Sequence, residues 1–169
     1  RPRLGEPAVE AAIKALPNPE RVIRLHYVVE SDLRALYQGA AAFVFPSKYE
    51  GFGLPVLEGM QAGVPVIASK IASIPEVGGD VIEYFKPGDS DDLVAAIDKV
   101  FNKSDIQREA QISAQKQRAE RFNWETTAKD TLSILLDAAK LEADARKDKK
   151  SGGSNHKEGG APLISALGN

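Results

Sequence analysis

The chain has 169 residues, of which 43% are apolar and 27% charged, and this composition is typical of a globular protein with a buried core. Its formal net charge is −2 at pH 7, so it lacks the basic excess that nucleic-acid binding requires, and we expect no nucleic-acid partner. It has no cysteine, and His26 and His156 are far apart in sequence, which excludes a disulfide scaffold and a thiol nucleophile and indicates no metal cluster.

The composition of the chain shifts near residue 140, and its first residue is not Met. The chain begins with Arg1 rather than Met and opens with no signal peptide, so we expect it to be part of a longer protein. No apolar run approaches the roughly 20 residues of a membrane-spanning helix, so we expect no membrane span in this chain. Residues 142–169 are rich in Gly, Ser and charged residues, and we predict that they form a disordered tail.

The first half of the remaining sequence alternates short apolar runs with helical patterns. Residues 22–25 are predicted to form a buried strand, and Ser31 is predicted to cap a helix with one apolar face. Residues 41–46 are apolar nearly throughout, as in a strand that is buried on both faces. A helix is predicted to begin at Pro55 and end at Gly63, because Pro favours the first helical turn and Gly the position after the last.

The second half continues the same alternation. Strands are predicted at residues 64–68 and 81–85, followed by a helix capped by Asp89 or Ser90. Two longer helices are then predicted, at residues 105–122 and 124–141, with Asn123 as a cap between them. This order predicts an α/β fold in which a Rossmann-like parallel sheet carries helices on both faces.

Ligands of such sheets bind beyond the carboxyl ends of the strands, which here directs attention to the loops after Leu25, Pro46 and Ala68. In the loop after Pro46, two glycines allow the backbone to approach a ligand closely, and the following helix presents its N-terminus to an anion. Glu50 and Glu58 flank this turn and can accept hydrogen bonds from sugar hydroxyls. A nucleotide sugar fits both features. A purely structural turn, with Glu58 complementing the helix dipole, is the alternative.

The string SKYEGFGLPVLEGMQAGVPVIAS, followed by IPEVGG, resembles the donor-binding half of retaining glycosyltransferases with the two-domain GT-B fold, the glycosyl transferases group 1 family. Its hallmark is a Glu, seven residues and a second Glu in an EGFGLP context. The resemblance extends from Arg21 to Leu141, so it implies that residues 21–141 are a nucleotide-sugar-binding domain, the C-terminal half of a GT-B fold. Residues 1–20 are then a remnant of the preceding helix or linker, and the domain is truncated at its N-terminus.

The resemblance also assigns roles to individual residues. Glu50 is implied to be the catalytic residue beside the donor sugar, and Glu58 to bind the ribose hydroxyls. Tyr27 and Val28 are implied to border the nucleobase. The backbone that is implied to hold the sugar hydroxyls and the diphosphate belongs to four residues of the turn: Gly51, Phe52, Gly53 and Leu54. The family generally uses no metal and no cofactor, and the expected partner is a UDP-, GDP- or ADP-linked sugar.

The sequence departs from the family pattern at two places. The helix after the turn has Gly59 and Gln61 where relatives usually have alanine, and a helical glycine costs roughly 0.5–1 kcal/mol relative to alanine. Residues 1–18 do not show the strand and loop whose Arg and Lys grip the diphosphate in relatives, and the N-terminal acceptor domain is absent. We therefore expect half of an enzyme, inactive as this chain.

The function expected of the complete protein is transfer of a sugar from a nucleoside diphosphate to an acceptor hydroxyl in polysaccharide, lipopolysaccharide or glycolipid synthesis. Its expected location is the cytoplasm, with the inner face of a membrane as the narrower alternative. A nucleotide-sugar-binding module without chemistry is the first alternative. A glycosidase that uses Glu50 and Glu58 as a carboxylate pair is the second, although a phosphate-binding helix end has no purpose in such an enzyme.

Overall fold

The structure is a computed structural model that describes the backbone of residues 6–151 and the side chains of residues 6–147. The chain divides into two compact units, one extending to Ala119 and the other beginning at Glu120. The predicted boundary at residue 141 lies inside the second unit. Residues 1–5 of the predicted N-terminal remnant and residues 152–169 of the predicted tail lie outside the described residues.

Helices and strands alternate through the first unit. In chain order its elements are α1 (Glu6–Lys14), a 3₁₀ turn (Pro19–Arg21), α2 (Glu30–Gly39), β1 (Phe43–Phe45), α3 (Leu54–Ala62), β2 (Val66–Ser69), α4 (Ile74–Gly78), β3 (Glu83–Phe85), α5 (Ser90–Phe101) and α6 (Asp105–Ala119). The second unit contains α7 (Trp124–Ser151). Among the described residues, no helix combines the length and the apolar character that crossing a membrane requires.

The three strands form one parallel sheet in the order β1-β2-β3. Every residue of the central strand β2 is buried. On one face, Ile67 packs with Phe85 and with Ala96 and Val100 of α5. On the other face, α3 lies against β1 and β2, since a Cβ atom added to Gly59 would be 2.9 Å from the Phe43 ring. The predicted parallel sheet with helices on both faces is therefore confirmed.

Gly59 has a packing role that its helical position conceals. An added Cβ would also lie 3.1 Å from Val66 Cγ2, closer than most real Cβ contacts. The missing side chain therefore allows α3 to lie unusually close to the sheet. Glycine lowers the stability of a helix, but here it also allows the helix and the strand to approach each other closely. Gly59 is therefore a packing residue of the core.

Helix α3 ends at Gly63 as predicted and begins at Leu54, one residue before the predicted Pro55, and both ends are set by left-handed glycines. Gly53 is the N-cap with φ 100°, and Gly63 is the C-cap with φ 79°. Pro55 occupies the first turn, where its missing N–H has no intrahelical role. Asp89 caps α5 as predicted, because its side chain accepts a hydrogen bond from the Asp92 N–H. In the second unit, the Asn123 Oδ1 accepts a hydrogen bond from the Thr126 N–H at 2.9 Å, which confirms the predicted cap.

Three predictions about the elements are wrong. Residues 22–25 form no strand, and Ile23 is 81% exposed, because a strand requires a hydrogen-bonded neighbour and the described sheet ends at β1. Ser31 is not the cap of α2, which begins at Glu30 with Val29 at the N-cap, two residues before Ser31. Residues 142–151 continue helix α7 rather than beginning a disordered tail, and Glu142–Arg146 is an ion pair between successive turns.

Helix α6 ties together the parts of the first unit that lie behind the candidate site. The fully buried Gln115 accepts a hydrogen bond from the Val66 N–H and donates one to the Val64 carbonyl, each at 3.2 Å. Arg118 donates hydrogen bonds to the carbonyls of Val77 at 2.6 Å and Glu76 at 2.5 Å, in α4. The start of β2 and the end of α4 are therefore both attached to one helix.

Candidate functional site

The loops that follow β1 and β2 meet at the carboxyl edge of the sheet, where the sequence analysis placed the site. The hydroxyl of Ser73, in the loop after β2, lies 3.0 Å from the Phe52 carbonyl oxygen and 3.4 Å from that of Glu50. Ser73 is also the N-cap residue of α4 but makes no side-chain cap bond there. Its hydroxyl hydrogen-bonds to the loop that carries Glu50 instead of capping its own helix.

Left-handed backbone conformations occur in both of these loops. Ala72 has φ 43°, and among the described residues it is the one residue other than glycine with a left-handed backbone. Gly53 has φ 100°, and a Cβ added to it would lie 2.5 Å from Ile74 Cδ1. The turn that leads into α3 is therefore packed tightly on the start of α4. Strained conformations of this kind persist where the surrounding structure holds them, which is common at ligand sites.

Glu50 is held by a hydroxyl from its own loop. Ser47 Oγ donates a hydrogen bond to Glu50 Oε1 at 2.8 Å, and it also lies 3.0 Å from the Tyr49 carbonyl oxygen. The Glu50 side chain is half-buried, whereas Tyr49 is 81% exposed. The carboxylate is thus fixed at one oxygen by a residue three positions earlier in the chain. Its second oxygen carries acceptor capacity for a ligand.

The N-terminus of α3 offers fewer hydrogen-bond donors than the sequence analysis expected. Pro55 has no N–H, and the Val56 N–H donates to the Gly53 carbonyl oxygen at 3.0 Å. The N–H of Leu54 is therefore the first-turn donor without an intrahelical partner. An anion at this helix end would meet the helix dipole and this single N–H from the first turn.

Glu58 is held by a residue from a different helix. The hydroxyl of Tyr37, in α2, donates a hydrogen bond to Glu58 Oε2 at 3.1 Å. Burial of the ring, followed by the hydrogen bond to Glu58 and the charge of Glu58, raises the pKa of Tyr37 to about 12. The Tyr37 ring also packs edge-on against Phe43 of β1, with 4.9 Å between the ring centroids.

A groove of about 560 Å³ lies between α2 and α3, and Tyr37 and Glu58 form part of its wall. Its polar lining combines carboxylates, one guanidinium, an amide and two hydroxyls. The lining residues are Glu30, Ser31, Leu33, Arg34, Tyr37, Glu58, Gln61 and Ala62. Such a lining offers both donors and acceptors to a polar, uncharged ligand group.

The structure brings some of the predicted site residues together and separates others. Glu50 and the four turn residues form one continuous loop-to-helix segment that ends at Glu58. Phe52 and Leu54 are 44% and 54% exposed at its surface. Tyr27 and Val28 do not line the groove that contains Glu58, and Tyr27 is 86% exposed. Their predicted contact with the nucleobase stays a prediction.

Three residues of this site were missed by the sequence analysis: Ser47, Tyr37 and Ser73. The contact of Ser47 with Glu50 could have been found, because the two residues are three positions apart in one loop. Tyr37 lies in a helix that was predicted only to have one apolar face, and no local pattern indicates a contact with a residue 21 positions later. Ser73 was missed because Ser before a helix normally indicates an N-cap.

Within the described part of the chain, no group of three or more His, Asp or Glu side chains could hold a metal ion. The prediction that the reaction uses no metal is not tested by this finding and stays a prediction.

These features define an α/β domain whose candidate site lies at the carboxyl edge of a parallel sheet and carries two carboxylates and a glycine turn. The chain belongs to the glycosyl transferases group 1 family, whose model matches residues 5–118. The predicted resemblance is therefore confirmed.

Comparison with individual proteins agrees with this assignment. The chain is 42% identical to the O-antigen chain mannosyltransferase B of Escherichia coli over 64% of this chain and 28% of that protein. It is 31% identical to the MMP alpha-(1->4)-mannosyltransferase of Mycolicibacterium hassiacum over 62% of this chain and 26% of that protein. The chain thus spans less than a third of the length of either relative.

Solved structures show the same fold. Sucrose-phosphate synthase from Thermosynechococcus elongatus matches with a TM-score of 0.69 and 26% identity, over 80% of this chain and 35% of that one. The structural neighbours are glycosyltransferases of the GT-B fold, which confirms the predicted fold class.

Proposed function

We propose that this chain contains the donor-binding part of a retaining glycosyltransferase, which transfers a sugar from a nucleoside diphosphate to an acceptor hydroxyl. The observation that carries the proposal is the Glu50-to-Glu58 segment, in which a left-handed Gly53 joins a carboxylate-bearing loop to the N-terminus of α3. A nucleotide-sugar donor has three groups, a sugar, an anionic diphosphate and a ribose. The segment offers a carboxylate, a helix N-terminus and a second carboxylate to bind them. Membership of the glycosyltransferase family supports the same reading.

Each part of the segment has a proposed role. Glu50 lies beside the donor sugar, where its second carboxylate oxygen meets a hydroxyl or the reacting carbon. The backbone of the turn from Gly51 to Leu54 holds the diphosphate, whose charge as a leaving group is stabilised by the Leu54 N–H and the dipole of α3. Glu58 accepts hydrogen bonds from the ribose hydroxyls. Tyr27 and Val28 border the nucleobase.

The names of the relatives suggest which sugar and which product to test first. Two relatives are mannosyltransferases by name, and one of these acts on an O-antigen chain by name. We therefore propose mannose as the first sugar to test and a polysaccharide or lipopolysaccharide chain as the product class. The whole protein, rather than this chain, would carry the transfer.

Calorimetric titration of the 169-residue chain with UDP, GDP and ADP, and with their sugar conjugates, tests donor binding. We expect one nucleotide to bind and Glu58→Ala to weaken it roughly tenfold, because hydrogen bonds to a charged group contribute about 1.5–3 kcal/mol. Glu109→Ala, which removes an exposed glutamate of α6, is the matched control. Equal affinities for the two variants, or no binding by a chain with a folded circular dichroism spectrum, would contradict the proposal.

Transfer is a separate property from binding and needs its own assay. Proton NMR of the sugar first released from the bound donor reports both turnover and anomeric configuration, and it is recorded on the whole protein that contains this chain, as wild type and as Glu50→Gln. Release with retained configuration that depends on Glu50 supports the retaining assignment. Inverted configuration refutes it, and tight binding without release favours the alternative of a nucleotide-sugar-binding module.

A further inference from the structure

We propose that Tyr37 is a positioning residue for donor recognition, whose hydroxyl orients the Glu58 carboxylate toward the ribose hydroxyls of a nucleotide in the groove between α2 and α3. This inference rests on the proposed function of Glu58. Helix α2 would thereby supply a side-chain hydroxyl to the site, a group that the residues of the Glu50-to-Glu58 segment do not have.

The contact itself is long-range and directed. Glu58 is an exposed side chain on α3, and an exposed glutamate otherwise samples several rotamers. The Tyr37 hydroxyl donates to its Oε2 at 3.1 Å, which selects one arrangement of the carboxylate. A carboxylate has two oxygens and about four acceptor positions, so one tyrosine hydroxyl leaves Oε1 and part of Oε2 for a ligand. This geometry suits a pair of neighbouring hydroxyls.

The Tyr37 ring is itself held in place. It packs edge-on against Phe43 with an interplanar angle of 79°, and Phe43 lies against α3 at Gly59, where a Cβ atom would come within 2.9 Å of the ring. Helix α3 therefore supports Tyr37 directly through the Glu58 carboxylate and indirectly through the Phe43 ring of β1. A site supported by packed neighbours of this kind loses little entropy when its ligand binds.

The protonation state of Tyr37 supports this role. Burial, the hydrogen bond to Glu58 and the negative charge of Glu58 raise its pKa to about 12, so the hydroxyl remains a donor throughout the neutral range. The donor–acceptor direction of the contact is thereby settled, because an ionised carboxylate can only accept.

The test compares ribonucleotides with their 2′-deoxy forms, using calorimetric titration of the 169-residue chain. The ligands are UDP, GDP and ADP and the three corresponding 2′-deoxynucleoside diphosphates. The variants are Tyr37→Phe and Glu58→Gln. Tyr84→Phe is the matched control, because it removes a half-buried tyrosine hydroxyl that donates a 2.8 Å hydrogen bond to the Gly79 carbonyl, outside the groove.

We expect the wild type to prefer the ribonucleotide and Tyr37→Phe to reduce this preference roughly tenfold, while Tyr84→Phe leaves it unchanged. A purely structural role would lower the affinity for both forms equally and leave their ratio unaltered. Circular dichroism of each variant confirms that it is folded.

The opposing outcomes are distinct. If Glu58→Gln abolishes the preference for ribose but Tyr37→Phe retains it, the role of Tyr37 is refuted and the proposed function stands. If Tyr37→Phe and Tyr84→Phe reduce the preference for the ribonucleotide equally, the positioning role is also refuted. If Glu58→Gln retains the preference, or the wild type binds no nucleotide, the proposed function of Glu58 is refuted and this inference with it.

Discussion

The two glutamates of the candidate site are held in different ways. Glu50 lies in a loop, and its partner Ser47 is three residues away in the same loop. Glu58 lies on α3, and its partner Tyr37 comes from a helix 21 residues earlier in the chain. The position of one carboxylate is therefore mainly a local property, whereas that of the other depends on the packing of two helices and a strand. This contrast predicts that the two will respond differently to mutation.

The largest effect is expected in the core that supports α3. Gln115→Leu removes the partners of the Val64 carbonyl and the Val66 N–H, and a buried unsatisfied polar group costs about 1–3 kcal/mol. We expect the free energy of unfolding to fall by about 3 kcal/mol in urea titrations followed by circular dichroism. The control is Gln117→Leu, at an exposed position of the same helix. Similar losses in both variants would show that the two hydrogen bonds contribute little.

The second effect concerns the junction between the Glu50 loop and α3. Gly53→Ala places a side chain at φ 100° and 2.5 Å from the flexible end of Ile74, so the steric contact can relax but the backbone strain cannot. We expect a loss of more than about 1 kcal/mol in unfolding free energy. At Gly51 an added Cβ meets nothing within 4 Å, so Gly51→Ala should change the unfolding free energy by less than about 0.5 kcal/mol. Urea unfolding of the pair measures the difference, and equal values would contradict the conformational argument.

The smallest effect separates the two carboxylates directly. Ser47→Ala removes the hydroxyl that donates to Glu50 and should lower the unfolding free energy by about 1 kcal/mol. Because Ser47 does not contact Glu58, we expect the affinity for nucleoside diphosphates to stay unchanged, in contrast to Tyr37→Phe. Ser113→Ala, at an exposed position of α6, is the control for stability. If Ser47→Ala weakens nucleotide binding as much as Tyr37→Phe does, the two carboxylates act as one unit.

Much of the fold was predictable because its signals are local. Pro55 lies in the first turn of α3 and Gly63 ends the helix as predicted, and Asp89 and Asn123 cap helices as predicted. The predicted strands at residues 41–46 and 81–85 each contain an observed strand. The one at residues 64–68 overlaps β2, which extends one residue further to Ser69. The observed strands are three or four residues long. Apolar runs between turn residues are sufficient to indicate such buried strands.

The failures share a physical cause. Residues 22–25 have the composition of a strand, but a strand exists through hydrogen bonds to its neighbour, which composition does not report. Residues 142–151 lack an apolar face, but adding residues to an existing helix requires much less free energy than starting a new one. Ion pairs such as Glu142–Arg146 favour the extension. The first prediction failed because residues 22–25 have no neighbouring strand, and the second because residues 142–151 extend a helix that is already formed.

The sequence by itself determined the family, the α/β alternation and the Glu50-to-Glu58 segment, because each is written in contiguous residues with local conformational preferences. The tertiary structure decided which side chains hold the two carboxylates. Tyr37 reaches Glu58, and Ser73 reaches the Glu50 loop, only because helix, sheet and loop pack at the carboxyl edge. Contacts between residues 21 or 23 positions apart follow from chain topology, which local sequence preferences do not encode.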